Sequence, residues 1–272
     1  MKKKISYEII IGILLVILGI GSAITAYILN FGKNVFSKGE WYIYLLYILG
    51  AVFIFIGACL LYRDYEIRKD VSNKINVRQM TLIAFQASIT IILYYYAKFN
   101  LPFFPGWLDI QVSEIPALIT SFIYGPGAGA MVIFIRFLVK LPGTMTVGVG
   151  EFADLILGLS LVLISGIIYK KKHTFKGALL GLGIGVFVST FLACILNWLV
   201  LIPAYINIAG FKIEQLIGMM SYIPSVTKDN FMLIYIFVGV LPFNLFRYVI
   251  VLALTIILYK KTHVVFDKIA RR

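Results

Sequence analysis

The sequence predicts an all-α, polytopic membrane protein, and three observations carry that prediction. Hydrophobic residues fill 61% of the 272 positions and the mean hydropathy is +0.97, outside the range of an ordinary soluble domain. The Lys and Arg residues behind the net charge of +13 gather at Lys2 to Lys4, Arg63 to Arg78, Lys170 to Lys176 and Lys260 to Arg272, with apolar runs between them. Such clustering is a topology signal. It predicts a multi-pass protein of the cell membrane with both termini cytoplasmic, and it accounts for the charge without a nucleic-acid partner. Third, the apolar run Phe231 to Tyr259 can cross a bilayer yet carries Pro242, Asn244 and Arg247 near its middle.

An Arg at the centre of a membrane helix costs about 2.5 to 3.5 kcal/mol, so it faces a partner, a water-filled cavity or a ligand. Asn244 and Arg247 are three residues apart and share a helix face. Pro242 removes one backbone donor and frees carbonyls to accept other bonds. Two readings stay open here: a kinked helix whose polar pair bonds its neighbours, and a ligand contact.

From the N-terminus, Lys2 to Lys4 precede an apolar run, Ile9 to Leu29, that is longer than a signal-peptide core and reads as an uncleaved anchor. A second span, Tyr42 to Leu61, returns to the basic segment. Neither span has a charged residue in its interior. The expected division is a transmembrane hairpin at 1–62, a basic cytoplasmic linker at 63–79, a membrane domain at 80–261 and a basic tail at 262–272.

Within the membrane domain, Met80 to Ala97 carries Ala84 and Ser88 at a four-residue spacing, which permits close helix approach. The aromatic, turn-rich stretch Lys98 to Ser113 includes Phe104, Trp107 and Asp109. An interfacial aromatic belt is one reading of it. The following helix, Ser113 to Tyr124, is about 18 Å long and too short to span, so the stretch before it is expected to dip into the protein. Gly125 to Gly129 forms a turn into the helix Ala130 to Leu141. There Lys140 is expected to snorkel to the interface, whereas the deeper Arg136 calls for an acid. Asp109, Glu114, Glu151 and Asp154 are the acids nearest to it in sequence. Each lies near an expected helix start, so capping or dipole complementarity competes with pairing to Arg136 or Arg247. The spans Phe152 to Tyr169 and Gly177 to Pro203 follow. The second opens with Gly177, Gly181 and Gly185 on one face and carries Asn197 in its far half. A longer external segment, Asn207 to Asn230, precedes the final span.

Cys59 and Cys194 lie in apolar runs and read as packing residues. His173 and His263 lack metal-ligand spacing. The sequence contains no G-x-x-x-x-G-K-[ST] phosphate loop. It also offers no Ser-His, Cys-His or paired-carboxylate set at membrane depth, so an intramembrane enzyme is disfavoured. A membrane partner protein without transport activity is a further alternative.

Four blocks, Asp109 to Gly129 (DIQVSEIPALITSFIYGPGAG), Val149 to Gly158 (VGEFADLILG), Asn197 to Tyr205 (NWLVLIPAY) and Leu241 to Arg247 (LPFNLFR), occur in this order. Together they resemble the riboflavin-specific substrate-binding subunit of energy-coupling factor transporters. The resemblance covers Met80 to Lys261. It implies a six-helix membrane domain that captures a vitamin from outside, and a separate transmembrane coupling subunit with two ATPases for transport. It implies no cofactor, riboflavin being the transported ligand. It implies that Asn197, Asn244 and Arg247 contact the flavin ring, that the loop with Phe104, Trp107 and Asp109 closes over it, and that Glu151 borders the same site. It also implies that Ala84 and Ser88 meet the coupling subunit. The family usually carries Lys at the position of Arg247 and Asn-Phe-Ala-Asn where this chain has Glu151-Phe152-Ala153-Asp154. A related vitamin is therefore the alternative ligand.

Overall fold

The computed structural model describes residues 77–143 and 148–270, apart from 106–107, 208–209, 221–222 and 224, together with helical turns at 11–15, 17–19 and 21–22. The chain divides into two compact units, Met1–Asn76 and Val77–Arg272. The second expected span, Cys59 and most of the basic linker lie outside the described residues, as do residues 144–147 and Trp107.

The second unit opens with α1 (Val77–Tyr96). A two-stranded antiparallel ribbon follows, β1 (Lys98–Phe99) on β2 (Ile110–Gln111), with Lys98 opposite Gln111 and Phe99 opposite Ile110. This ribbon is the departure from a purely helical chain. It turns the loop inward, so that Ile110, Gln111, Ser113 and Glu114 are all buried. Next come α2 (Ile115–Tyr124) and α3 (Pro126–Lys140), each with a proline in its first turn, where no intrahelical donor is needed. The sharp connection between them rests on Gly125 at φ 92°, a conformation open to Gly at little cost.

α4 (Val149–Lys171) and α5 (Phe175–Leu196) form an antiparallel pair joined at Lys172 to Thr174. Thr174 caps α5 by accepting from the Gly177 backbone N–H. The glycine face expected on α5 brings it against α4: a Cβ on Gly185 would lie 2.6 Å from Ser165 Oγ. Gly129 does the same where three helices meet, since a Cβ there would lie 2.6 Å from Ala117 O, Ser121 Cβ and Val162 Cγ1.

Two helices change pitch before a proline. α5 runs through a π-helical turn, Asn197–Leu201, into α6 (Ile202–Asn207), which contains Pro203. After the short α7 (Ile213–Gly218), α8 (Phe231–Ile234) runs through a second π-helical segment, Tyr235–Val240, into α9 (Leu241–Ala270), which contains Pro242. Proline lacks the donor that would close a regular α-turn, and the widened turn accommodates its absence. Among the described residues, four helices are long and apolar enough to cross a membrane: Pro126–Gly143, Val149–Lys171, Phe175–Asn207 and Phe231–Lys261.

Candidate functional site

The two π-helical segments meet, and Asn197 of the first and Asn244, four residues beyond the second, face the same space. Asn197 donates from Nδ2 to Ala193 O at 2.8 Å and accepts from Tyr235 Oη at 2.7 Å, so the two segments are tied through its carboxamide. Asn244 donates to Val240 O at 2.8 Å. Its carboxamide oxygen accepts no hydrogen bond among the described residues. Both Asn side chains border a cavity of about 380 Å³, within the usual size range of small-molecule sites.

The cavity draws its walls from most of the second unit: Tyr94 of α1, Asp109 beside the ribbon and Gln111 within it, Lys140 of α3, Glu151 and Asp154 of α4, Phe243, Asn244 and Arg247 of α9. Leu157, Leu201 and Tyr205 supply apolar surface. Phe211, Leu216 and Met219 come from the segment around α7. That segment is anchored, because Leu216 and Met220 are buried in a cluster with Phe231, Tyr235 and Ile236.

Behind one wall lies a buried ionic cluster. Arg247 Nη2 donates to Glu114 Oε1 and lies 3.4 Å from Asp154 Oδ1. Arg136 donates to Ser113 Oγ at 2.6 Å and to Asp154 Oδ2 at 2.8 Å, with Glu114 Oε1 at 3.5 Å. Lys140 Nζ reaches Asp154 Oδ2 at 2.6 Å, and Gln111 Nε2 donates to Asp154 Oδ1 at 3.0 Å. Three cations thus face two carboxylates in a region where Arg136 is only 1% exposed. Gly158 makes room for this packing, since a Cβ there would lie 3.2 Å from Arg136 Nη2. Isolated, each charge would be too costly to bury; in this cluster each has an opposite partner and directional hydrogen bonds.

The cluster revises one reading of the sequence and decides another. Lys140 does not snorkel: it is 6% exposed and turned onto Asp154. Glu114 stands at the N-cap position of α2 but makes no capping bond, and its carboxylate serves Arg247 and Arg136 instead. Glu151, in the first turn of α4, does fit dipole complementarity.

Residues 78–259 match the family described as ECF transporter, substrate-specific component. The chain belongs to this family. The riboflavin transporter RibU of Staphylococcus aureus (strain TCH60) is 30% identical over 191 residues, which cover 69% of this chain and 93% of that protein. The riboflavin transporter FmnP of Bacillus subtilis (strain 168) is 29% identical over 178 residues, 64% of this chain and 86% of that one. A solved S component of a bacterial ECF transporter has a TM-score of 0.52 and 28% identity, covering 68% of this chain and 95% of that one. The chain is therefore a membrane-embedded substrate-binding component of a transporter and not an enzyme.

Of the residues expected at the site of this S component, Asp109, Glu151, Asn197, Asn244 and Arg247 border the cavity. Phe104 does not, but its ring packs edge-on against Phe243 at 5.3 Å, and the adjacent Pro105 lies against Gly239. Ala84 and Ser88 sit elsewhere, on an exposed face of α1 beside Phe85 and Ile92. The Ser88 hydroxyl donates to Ala84 O at 3.0 Å, so its polar group is satisfied within the helix. Sequence reasoning missed Tyr94, Gln111, Lys140, Tyr205 and the α7 segment as cavity walls. Among them only Lys140, a charge at the end of an apolar helix, carried a signal.

Proposed function

We propose that this S component binds riboflavin from the outer side of the cell membrane and delivers it inward together with a transmembrane coupling subunit and two ATP-binding subunits. The observation that carries the reading is the placement of Asn197, Asn244 and Arg247 around one cavity in a chain whose named relatives are riboflavin transporters. Two carboxamides and a guanidinium suit the pyrimidinedione edge of a flavin, which alternates carbonyl acceptors with an N–H donor. Aromatic and aliphatic walls suit the rest of the ring. Asp109 and Glu151 can accept from the hydroxyls of the polyol chain.

The domain reading that goes with it is a six-helix vitamin-binding core over 80–261 behind an N-terminal two-helix hairpin at 1–62 and a basic linker at 63–79. The basic tail at 262–272 and the N-terminus are cytoplasmic. Phe104, Trp107 and Asp109 belong to the loop that closes over the ligand, and Ala84 and Ser88 offer a low-relief helix face to the coupling subunit.

The test is reconstitution in liposomes. The chain alone should bind riboflavin at the outer face without accumulating it, and uptake should require the coupling subunit, the ATPases and ATP. Sustained ATP-driven uptake by this chain alone overturns the reading.

A further inference from the structure

Lys140 is a buried cation on the cavity wall that none of the contacts assigned so far uses. It is the last residue of α3, and its side chain is fixed at two points. Nζ lies 2.6 Å from Asp154 Oδ2 and 3.9 Å from the centroid of the Tyr94 ring. Asp154 and Tyr94 both border the cavity as well. An ammonium group has three N–H donors and no acceptor. One is taken by Asp154 and one is directed at the electron-rich ring face, which leaves the third.

Asp154 organises more than Lys140. Its Oδ2 takes Lys140 while its Oδ1 lies 3.4 Å from Arg247 Nη2 and accepts from Gln111 Nε2. Two cations on the cavity wall are therefore held to the two oxygens of one carboxylate. Glu114 also faces Arg247, and Asp109 and Glu151 share the wall with Asp154, so the wall presents no excess of positive charge and suits a neutral ligand with two acceptors on one edge better than an anion.

We propose that Lys140 is a ligand-binding residue that donates its third N–H to an acceptor on the bound molecule beside Arg247. Asp154 and Tyr94 are positioning residues that hold Nζ in place. The inference rests on the riboflavin reading above and deepens it, assigning two cationic donors to the flavin's acceptor edge.

The experiment compares the full chain with Lys140→Met and Lys140→Gln in detergent. It measures riboflavin affinity by quenching of flavin fluorescence, the visible absorption band of the bound flavin, and thermal unfolding without ligand. Lys140→Met removes the donor but keeps most of the stem, and Asp154 retains Arg136, Arg247 and Gln111 as partners. The expected result is binding weakened by about 10- to 150-fold, the range for a charge-assisted hydrogen bond, with a shifted visible band. Lys140→Gln, which keeps a neutral donor, should fall between. Affinity within twofold of the parent and an unshifted band overturn the proposal, as does an affinity loss that only tracks lost stability with the band unmoved. Failure of both variants to fold also overturns it, since Lys140 would then serve the fold. A parent that binds no riboflavin overturns the functional reading itself, and this inference with it.

Discussion

Replacing Asp154 by Asn keeps the outline of the side chain and removes the charge at the hub of the buried cluster. In the parent, Asp154 faces Arg136 at 2.8 Å, Lys140 at 2.6 Å and Arg247 at 3.4 Å. After the substitution Glu114 is left to face both Arg136 and Arg247, and the new amide turns its own N–H donors toward other donors. Removing one partner of a buried ion pair costs about 3 to 5 kcal/mol. Glu114 remains to accept from Arg136 and Arg247, so the lower end of the range, about 3 kcal/mol, is expected. For a domain of this size that is a drop of about 6 to 12 °C in unfolding temperature. The assay is thermal unfolding of the ligand-free protein in detergent. Adding Lys140→Met to Asp154→Asn removes one stranded cation, so the double variant should be more stable than the sum of the single losses. An Asp154→Asn protein that unfolds within about 1 kcal/mol of the parent, with simple additivity in the double variant, would refute the assignment of Asp154 as hub.

Three further outcomes are expected. Asn244→Ala should weaken riboflavin binding by about 1 to 3 kcal/mol, roughly 5- to 150-fold, while the empty protein stays nearly as stable; equal losses in both would mark Asn244 as a packing residue. Ala84→Leu, on the exposed face of α1, should abolish uptake by the assembled transporter and leave ligand binding by the isolated chain intact, whereas loss of binding would assign that face to the fold. Deletion of residues 1–62 should change riboflavin affinity by less than about tenfold, because the hairpin has no charged group in the interior of its spans; a larger change would bring the hairpin into the site.

Much of the fold was legible because the membrane constrains it so strongly. Uninterrupted apolar runs mark the helices, clustered Lys and Arg separate them, and the glycine face of α5 marked a close-packing surface, which α4 takes up in the folded chain. The polar residues of the site were legible for the same reason, since Asn197, Asn244 and Arg247 interrupt apolar runs at a cost that demands a purpose. Their partners were legible only as candidates. Glu114 lies 133 residues from Arg247 in sequence and Asp154 lies 93 away, and only the folded chain decides that these acids pair with cations and do not cap helices. Lys140 was misread because a Lys at the end of an apolar helix looks the same whether it snorkels outward or turns in to a buried acid. The π-helical turns were hidden as well: Pro203 and Pro242 announce a break in the bonding pattern without stating how it is absorbed. The segment around α7 has no periodicity that would tell a cavity wall from an external loop, and its burial comes from contacts with Phe231 and Tyr235.

A titration of the purified full chain with riboflavin, followed by quenching of flavin fluorescence and run beside other vitamins as competitors, bears most directly on the function assigned to this cavity. The expected result is saturable binding of one riboflavin per chain that thiamine and biotin do not displace and that Asn244→Ala weakens. Failure to bind riboflavin, or tighter binding of an unrelated vitamin at a site that Asn244→Ala does not affect, would contradict it.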